Sequence, residues 1–252
     1  MRLRSAVRRH PVVVFFVLTY AIAWGVLPFG TFGAYAPLVA ALVVAPLCRG
    51  RAGLVELGRR LVRWRVPWWC YLLAIGVPLA VHLLAVLLRG EVSTIAWAAA
   101  GDVLLVALVR LVNPGDGPLG EEPGWRGFAL PGMQARLSPL ASTSILAVLV
   151  TAWHLPIAFL VGGDVVTTLV GLVVGTVAVT FWYSWLFDHA RGSVLLVLVA
   201  HAVEGAVQDD TLLYFGLWLA VAVVLVVADL RWWRRPAPAE ATWSRPEHGV
   251  IL

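Results

Sequence analysis

The sequence predicts an all-α protein, a polytopic membrane helix bundle of about eight transmembrane helices with both termini in the cytoplasm. Three observations predict it. Of 252 residues 61% are hydrophobic and 13% charged, a balance far from that of water-soluble domains. Apolar stretches able to cross a hydrocarbon core of about 30 Å, which takes roughly 20 helical residues, recur near 11–29, 32–48, 67–88, 95–112, 138–160, 165–187, 193–208 and 212–230. The third observation is charge placement. All 19 basic residues are arginine; they cluster before the first span, between Arg49 and Arg65, and after the last span at Arg231, Arg234 and Arg235. The opposite loops carry Glu91, Asp164, Asp209 and Asp210, with Arg89 the exception. With eight spans these sets fall on opposite sides, which the positive-inside rule reads as cytoplasmic termini; an odd count would break the agreement. The net charge of +5 thus belongs to the membrane flanks, and the expected partner is the lipid bilayer, not nucleic acid.

Taken in order, the first span has the basic start and small residues, Ala34 and Ala36, of a cleaved leader. Its apolar run is too long for one, and Pro37 would follow the cut, so it is read as a span. The basic stretch 49–65 places Leu54, Leu57, Leu61 and Trp64 at helical spacing, as in an interfacial helix on anionic headgroups; a plain positive-inside loop is the other reading. Trp64, Trp68, Trp69, Trp232 and Trp233, among 13 tryptophans, sit at span boundaries as interface anchors. Cys48 and Cys70 lie near cytoplasmic span ends, where a disulfide is not expected. Residues 113–120, Asn-Pro-Gly-Asp-Gly-Pro-Leu-Gly, break the fourth helix. The reading is one transmembrane domain over 1–235, its chemistry within about 95–210, and a disordered cytoplasmic tail over 236–252. No internal repeat of the kind found in inverted-repeat transporters occurs.

After the break comes Glu121-Glu122-Pro123-Gly124-Trp125-Arg126, where Pro123 suits the first turn of a new helix. Helical spacing puts Glu122 and Arg126 on one face as an ion pair and points Glu121 elsewhere, free to act. The same pair of acids could instead cap a helix in a solvated loop. His154 lies inside an apolar span beside Pro156, and His201 lies in the seventh span with Glu204 and Gln208 along its face. A lone histidine is more often a core residue, but two of them with a paired-carboxylate motif inside a membrane point to function. Glu121, His154 and His201 are ligand types for a catalytic zinc with an open position. Without metal, a buried glutamate is equally a general base for water and a histidine its helper. A proton relay in a transporter is a third use of such residues.

These residues resemble the CAAX-protease and bacteriocin-processing, or Abi, family of intramembrane endopeptidases. Its Glu-Glu-x-x-x-Arg motif is matched by Glu121, Glu122 and Arg126, followed by Gln134 and Arg136. Its Phe-x-x-x-His motif is matched at His154 with Val150 in place of phenylalanine, and its His-x-x-x-Asn motif at His201 with Gly205 in place of asparagine. The resemblance implies hydrolysis of a peptide bond in a membrane-associated peptide or protein. Glu121 would activate water with His154 as its partner, His201 would stand beside the oxyanion, and Glu122 and Arg126 would support them. The asparagine is expected to bind the oxyanion, so Gly205 puts that donor in question, and the Gln208 amide is a candidate replacement. The alternative is a catalytically degenerate member that binds a peptide, confers bacteriocin immunity or acts as a scaffold. Arginine-only cations and the Ala, Val and Gly bias imply a GC-rich bacterial genome, hence the inner membrane, where prenylated proteins are not the expected main substrates.

Overall fold

The computed structural model describes residues 2–91, 97–160, 162, 164–209 and 211–237; the predicted tail falls outside them from residue 238 onward. All regular structure among these residues is helical. In chain order the helices are α1 (Arg2–Arg9), α2 (Pro11–Gly25), α3 (Ala36–Arg49), α4 (Arg51–Leu61), α5 (Trp68–Leu88), α6 (Trp97–Val112) and α7 (Pro118–Gly124). Then follow α8 (Leu130–Gln134), α9 (Pro139–His154), α10 (Val165–His189), α11 (Val194–Ala206), α12 (Leu212–Ala228) and α13 (Leu230–Trp233). Proline opens α2, α7 and α9, where its missing N–H has no partner to lose. Ser138, Asp164, Ser193 and Thr211 cap α9, α10, α11 and α12 by accepting the N–H three residues on. Four segments, Pro11–Phe29, Trp68–Leu88, Pro139–Phe159 and Val165–His189, are long and apolar enough to cross a membrane; α3, α11 and α12 are shorter apolar helices. The chain is a multi-pass membrane protein. Of the two readings of 49–65, the structure has a helix, α4, over Arg51–Leu61 with Leu57 buried and Leu54 exposed; Trp64, also exposed, lies past its end. Cys48 and Cys70 are both free thiols.

Each predicted span has a helix, and the structure adds one more. Residues 118–134, expected to hold the end of the 113–120 break and the start of a new helix, form a continuous buried rod: α7, a π-helical turn over Trp125–Ala129, then α8. The helix starts at Pro118 rather than near Pro123, because Gly117, at φ +51°, lets the chain reverse one residue earlier. Hydropathy missed this rod because its two acids, arginine, prolines and glycines face protein and not lipid. Pro131 explains the π-turn: it has no N–H for the Gly127 carbonyl and its ring crowds that oxygen. Arg60 of α4 takes up the freed carbonyl, donating from Nη1 at 3.2 Å.

The rod runs antiparallel to α11. Gly117 lies beside His201, while Gly127 lies beside Val194 at the start of α11, and Gln134 donates to Asp188 at the end of α10 at 2.6 Å. The predicted topology put the end of α6 and the end of α11 on opposite sides; the structure instead sets Arg110 against Gly205. At this end Arg89 also pairs with Asp209, at 2.6 Å. Because α5 and α6 both finish at this end, α6 adds no net crossing; the rod supplies one instead, returning the chain to the end from which α9 starts, and the count stays even.

The rod is wedged between α3 and α11, with α2 reaching it as well. Phe15 and Phe16 of α2 close on Trp125 with ring centroids 5.6 and 5.7 Å apart, and Trp153 of α9 meets the same indole at 5.4 Å. Lipid offers no hydrophobic drive between helices, so close packing must hold them. Small residues permit it: Ala36, Ala40 and Ala41 of α3 are fully buried, and a Cβ at Gly124 would stand 2.5 Å from Pro37.

Candidate active site

The rod's two adjacent acids serve two neighbours. Glu121 turns toward α9: Trp125, one turn on, donates its indole N–H to Oε2 at 3.2 Å, and His154 Nε2 lies 3.8 Å from the same oxygen. Glu122 turns toward α11: its Oε1 accepts from Arg126 Nη1 at 3.1 Å and from His201 Nδ1 at 2.9 Å. The predicted Glu122–Arg126 pair is therefore present, and it extends to His201. Arg126 also donates to the Thr180 carbonyl at 3.4 Å and lies 5.2 Å from the Tyr183 ring, which stacks on His201. Glu121, Glu122 and Arg126 are all buried. A charge so placed is stable only with partners.

Both histidines are oriented from behind. His154 is the last residue of α9 and lies inside the apolar segment Pro139–Phe159; the helix tightens to a 3-10 turn over Leu155–Phe159, where Pro156 ends regular bonding. Its Nδ1 faces the Val150 carbonyl at 2.9 Å. Carbonyl and carboxylate oxygens only accept, so Nδ1 carries the proton in His154 and in His201, leaving each Nε2 toward the other groups of the site. Val150, at the phenylalanine position, thus acts on His154 through its backbone, while Phe32 stacks on the imidazole at 6.2 Å. Helix α2 fixes the last turns of α9: Tyr20 Oη donates to the Leu149 carbonyl at 2.5 Å and Trp24 Nε1 to the Trp153 carbonyl at 3.1 Å.

Glu121, Glu122, Arg126, His154 and His201 all line one cavity of about 600 Å³, joined by the α10 residues Thr167 to Tyr183. A water and an extended peptide segment fit such a volume. Among the described residues no three His, Cys, Asp or Glu side chains gather as metal ligands. As arranged, Glu121 faces His154 and Glu122 faces His201, so the expected Glu121, His154 and His201 ligand set does not converge.

The residue least visible in sequence is Arg110. It sits on α6, lines the cavity, pairs with Asp116 at 2.9 Å, and packs on the bare α-carbon of Gly205. Gln208, the candidate replacement for the missing asparagine, lies just beyond the end of α11, exposed yet on the lining of the same cavity. Glu204, expected on the His201 face, is buried and accepts from Tyr214 Oη at 3.2 Å. Trp125 stands inside the motif, yet only the fold reveals it as a donor to Glu121.

Residues 97–207 match the family model of type II CAAX prenyl endopeptidases, Rce1-like. No curated protein matches the chain. The matched stretch contains the buried rod, both histidines and Arg110. The family is one of CAAX-type membrane proteases, and the match agrees with the resemblance carried by the Glu-Glu-x-x-x-Arg run. Over its motif-bearing core, residues 97–207, this chain is similar to the CAAX-type membrane proteases.

Proposed function

We propose that the chain is an intramembrane endopeptidase that hydrolyses a peptide bond of a membrane-associated peptide or protein. The observation that carries the reading is the gap of 3.8 Å between Glu121 Oε2 and His154 Nε2 inside a buried cavity. It is too long for a direct hydrogen bond and suits two acceptors that share one water. Glu121 takes a proton from that water, whose oxygen attacks the scissile carbonyl; His154 Nε2 accepts the second hydrogen bond and aims the attack. Trp125 holds the carboxylate in place, and Glu121 returns the proton to the leaving amine. The Glu122–Arg126 pair holds His201 at the opposite wall. The physiological setting is a bacterial inner membrane, with both termini cytoplasmic.

The test is cleavage of a membrane peptide library by the reconstituted protein, compared with Glu121→Ala and His154→Ala. Loss of a general base or its helper lowers the rate by about 10²–10⁴-fold. A wild type that cleaves nothing, while binding peptides, would establish the non-catalytic alternative. Metal analysis of the same preparation decides the chemistry: stoichiometric zinc with chelator sensitivity would replace the glutamate mechanism written here.

A further inference from the structure

We propose that Arg110 is the oxyanion donor of this site, a catalytic guanidinium occupying the space that α11 leaves empty at Gly205. The proposal rests on the endopeptidase reading above. Attack by the Glu121-activated water drives an electron pair onto the carbonyl oxygen, and that oxygen needs a hydrogen-bond donor opposite the base. His201 lies across the cavity, but its Nδ1 proton already goes to Glu122 at 2.9 Å. Neutral His201 therefore has no proton left on Nε2 to donate, and protonated His201 would offer the oxyanion only that one.

Arg110 meets the requirement at every protonation state the protein visits, because a guanidinium stays charged. Its Nη2 and the His201 Nε2 flank the same face of Gly117: a Cβ there would stand 3.2 Å from one and 3.1 Å from the other. Asp116 engages only Nη1, at 2.9 and 3.2 Å from its two oxygens, and so anchors the group without using its other donors. Nε is buried and has no hydrogen-bond partner, an arrangement that costs stability and calls for a use. Any side chain at 205 would overlap the guanidinium: a Cβ there would come within 2.7 Å of Nε and closer still to Cζ and Nη2. Glycine at 205 and arginine at 110 are in this sense one feature. The electron balance is simple: the C=O pair moves to oxygen and is bound by Arg110 N–H groups, then returns as the C–N bond breaks and the amine takes the Glu121 proton.

The experiment compares wild type, Arg110→Ala, Arg110→Gln, Arg110→Lys, Gly205→Asn and the double variant Arg110→Ala/Gly205→Asn in proteoliposomes. Melting temperature is measured beside kcat and KM. Removing the donor should lower kcat by about a hundredfold or more and leave KM within about threefold, with Arg110→Lys retaining part of the rate. Gly205→Asn alone should lose both activity and melting temperature, because it displaces the guanidinium. In the Arg110→Ala background the same asparagine finds room and should restore kcat at least about tenfold over Arg110→Ala. A wild type that cleaves, with Arg110→Ala and Arg110→Gln folded and within about threefold of its kcat, overturns this proposal alone. A loss confined to KM also overturns it, and a wild type without any cleavage overturns the endopeptidase reading itself.

Discussion

Glu122 shows how much one buried oxygen can hold: Oε1 joins the rod to α11 through His201 and receives Arg126, while Oε2 is buried without a partner. Removing it strands a buried guanidinium, for which breaking a buried pair costs about 3–5 kcal/mol. Glu122→Ala is therefore expected to lower the melting temperature in detergent sharply, whereas Glu121→Ala, which frees only the Trp125 indole N–H, should do so far less. Equal losses would refute the division of the two acids into a structural hub and a reactive group. Sequence spacing revealed the Glu122–Arg126 pair because four residues bring side chains together within one helix. It could not reveal Glu122–His201, which joins residues 79 positions apart, nor Trp125 as a donor, since a tryptophan in a membrane helix reads as packing.

At the scale of elements, the rod 118–134 depends on close approach to α3. A methyl group at Gly124 would meet the Cβ and the carbonyl of Pro37 at 2.5 Å, whereas one at Gly76 in α5 would meet nothing within 4 Å. Gly124→Ala should cost about 1–3 kcal/mol by overpacking, and Gly76→Ala should be neutral or stabilising by up to about 1 kcal/mol through helix propensity. Thermal unfolding in one detergent compares the two, and a neutral Gly124→Ala would remove the α3 wedge from the account. The loop after α11 makes a second test. Burial pushes the Asp209 carboxyl up, but the Thr211 hydroxyl and N–H and the Arg89 guanidinium outweigh it and hold it below the ordinary aspartate range. A depressed carboxyl contributes stability above its unfolded pKa of about 3.9 and loses it as pH falls through the folded value. The melting temperature should thus fall in acid below about pH 4 more steeply for wild type than for Asp209→Asn. Parallel curves would mean that the Arg89–Asp209 pair contributes nothing to stability.

For the whole molecule, the antiparallel course of the rod sets which loops share a side. With Cys48 and Cys70 replaced by alanine, single cysteines at Asn113 and Gln208 should react with an impermeant thiol reagent from one side of sealed vesicles, and those at Arg136 and Arg191 from the other. Labelling of position 113 together with 136 would restore the predicted topology and dismiss the rod as a crossing. Composition, apolar length and arginine placement determined the membrane bundle. The Glu-Glu-x-x-x-Arg run and two histidines in apolar helices determined which residues gather. These signals are local, since lipid imposes apolarity on any helix it touches and a motif keeps its spacing within one helix. Tertiary structure alone decided the rest. The rod is polar because protein surrounds it, so hydropathy could not find it. The two acids face different histidines because α9 and α11 flank the rod on different sides. And the vacancy that Gly205 leaves on α11 is filled from α6 by Arg110, 95 positions earlier in the chain, a complementarity that exists only where the two helices touch.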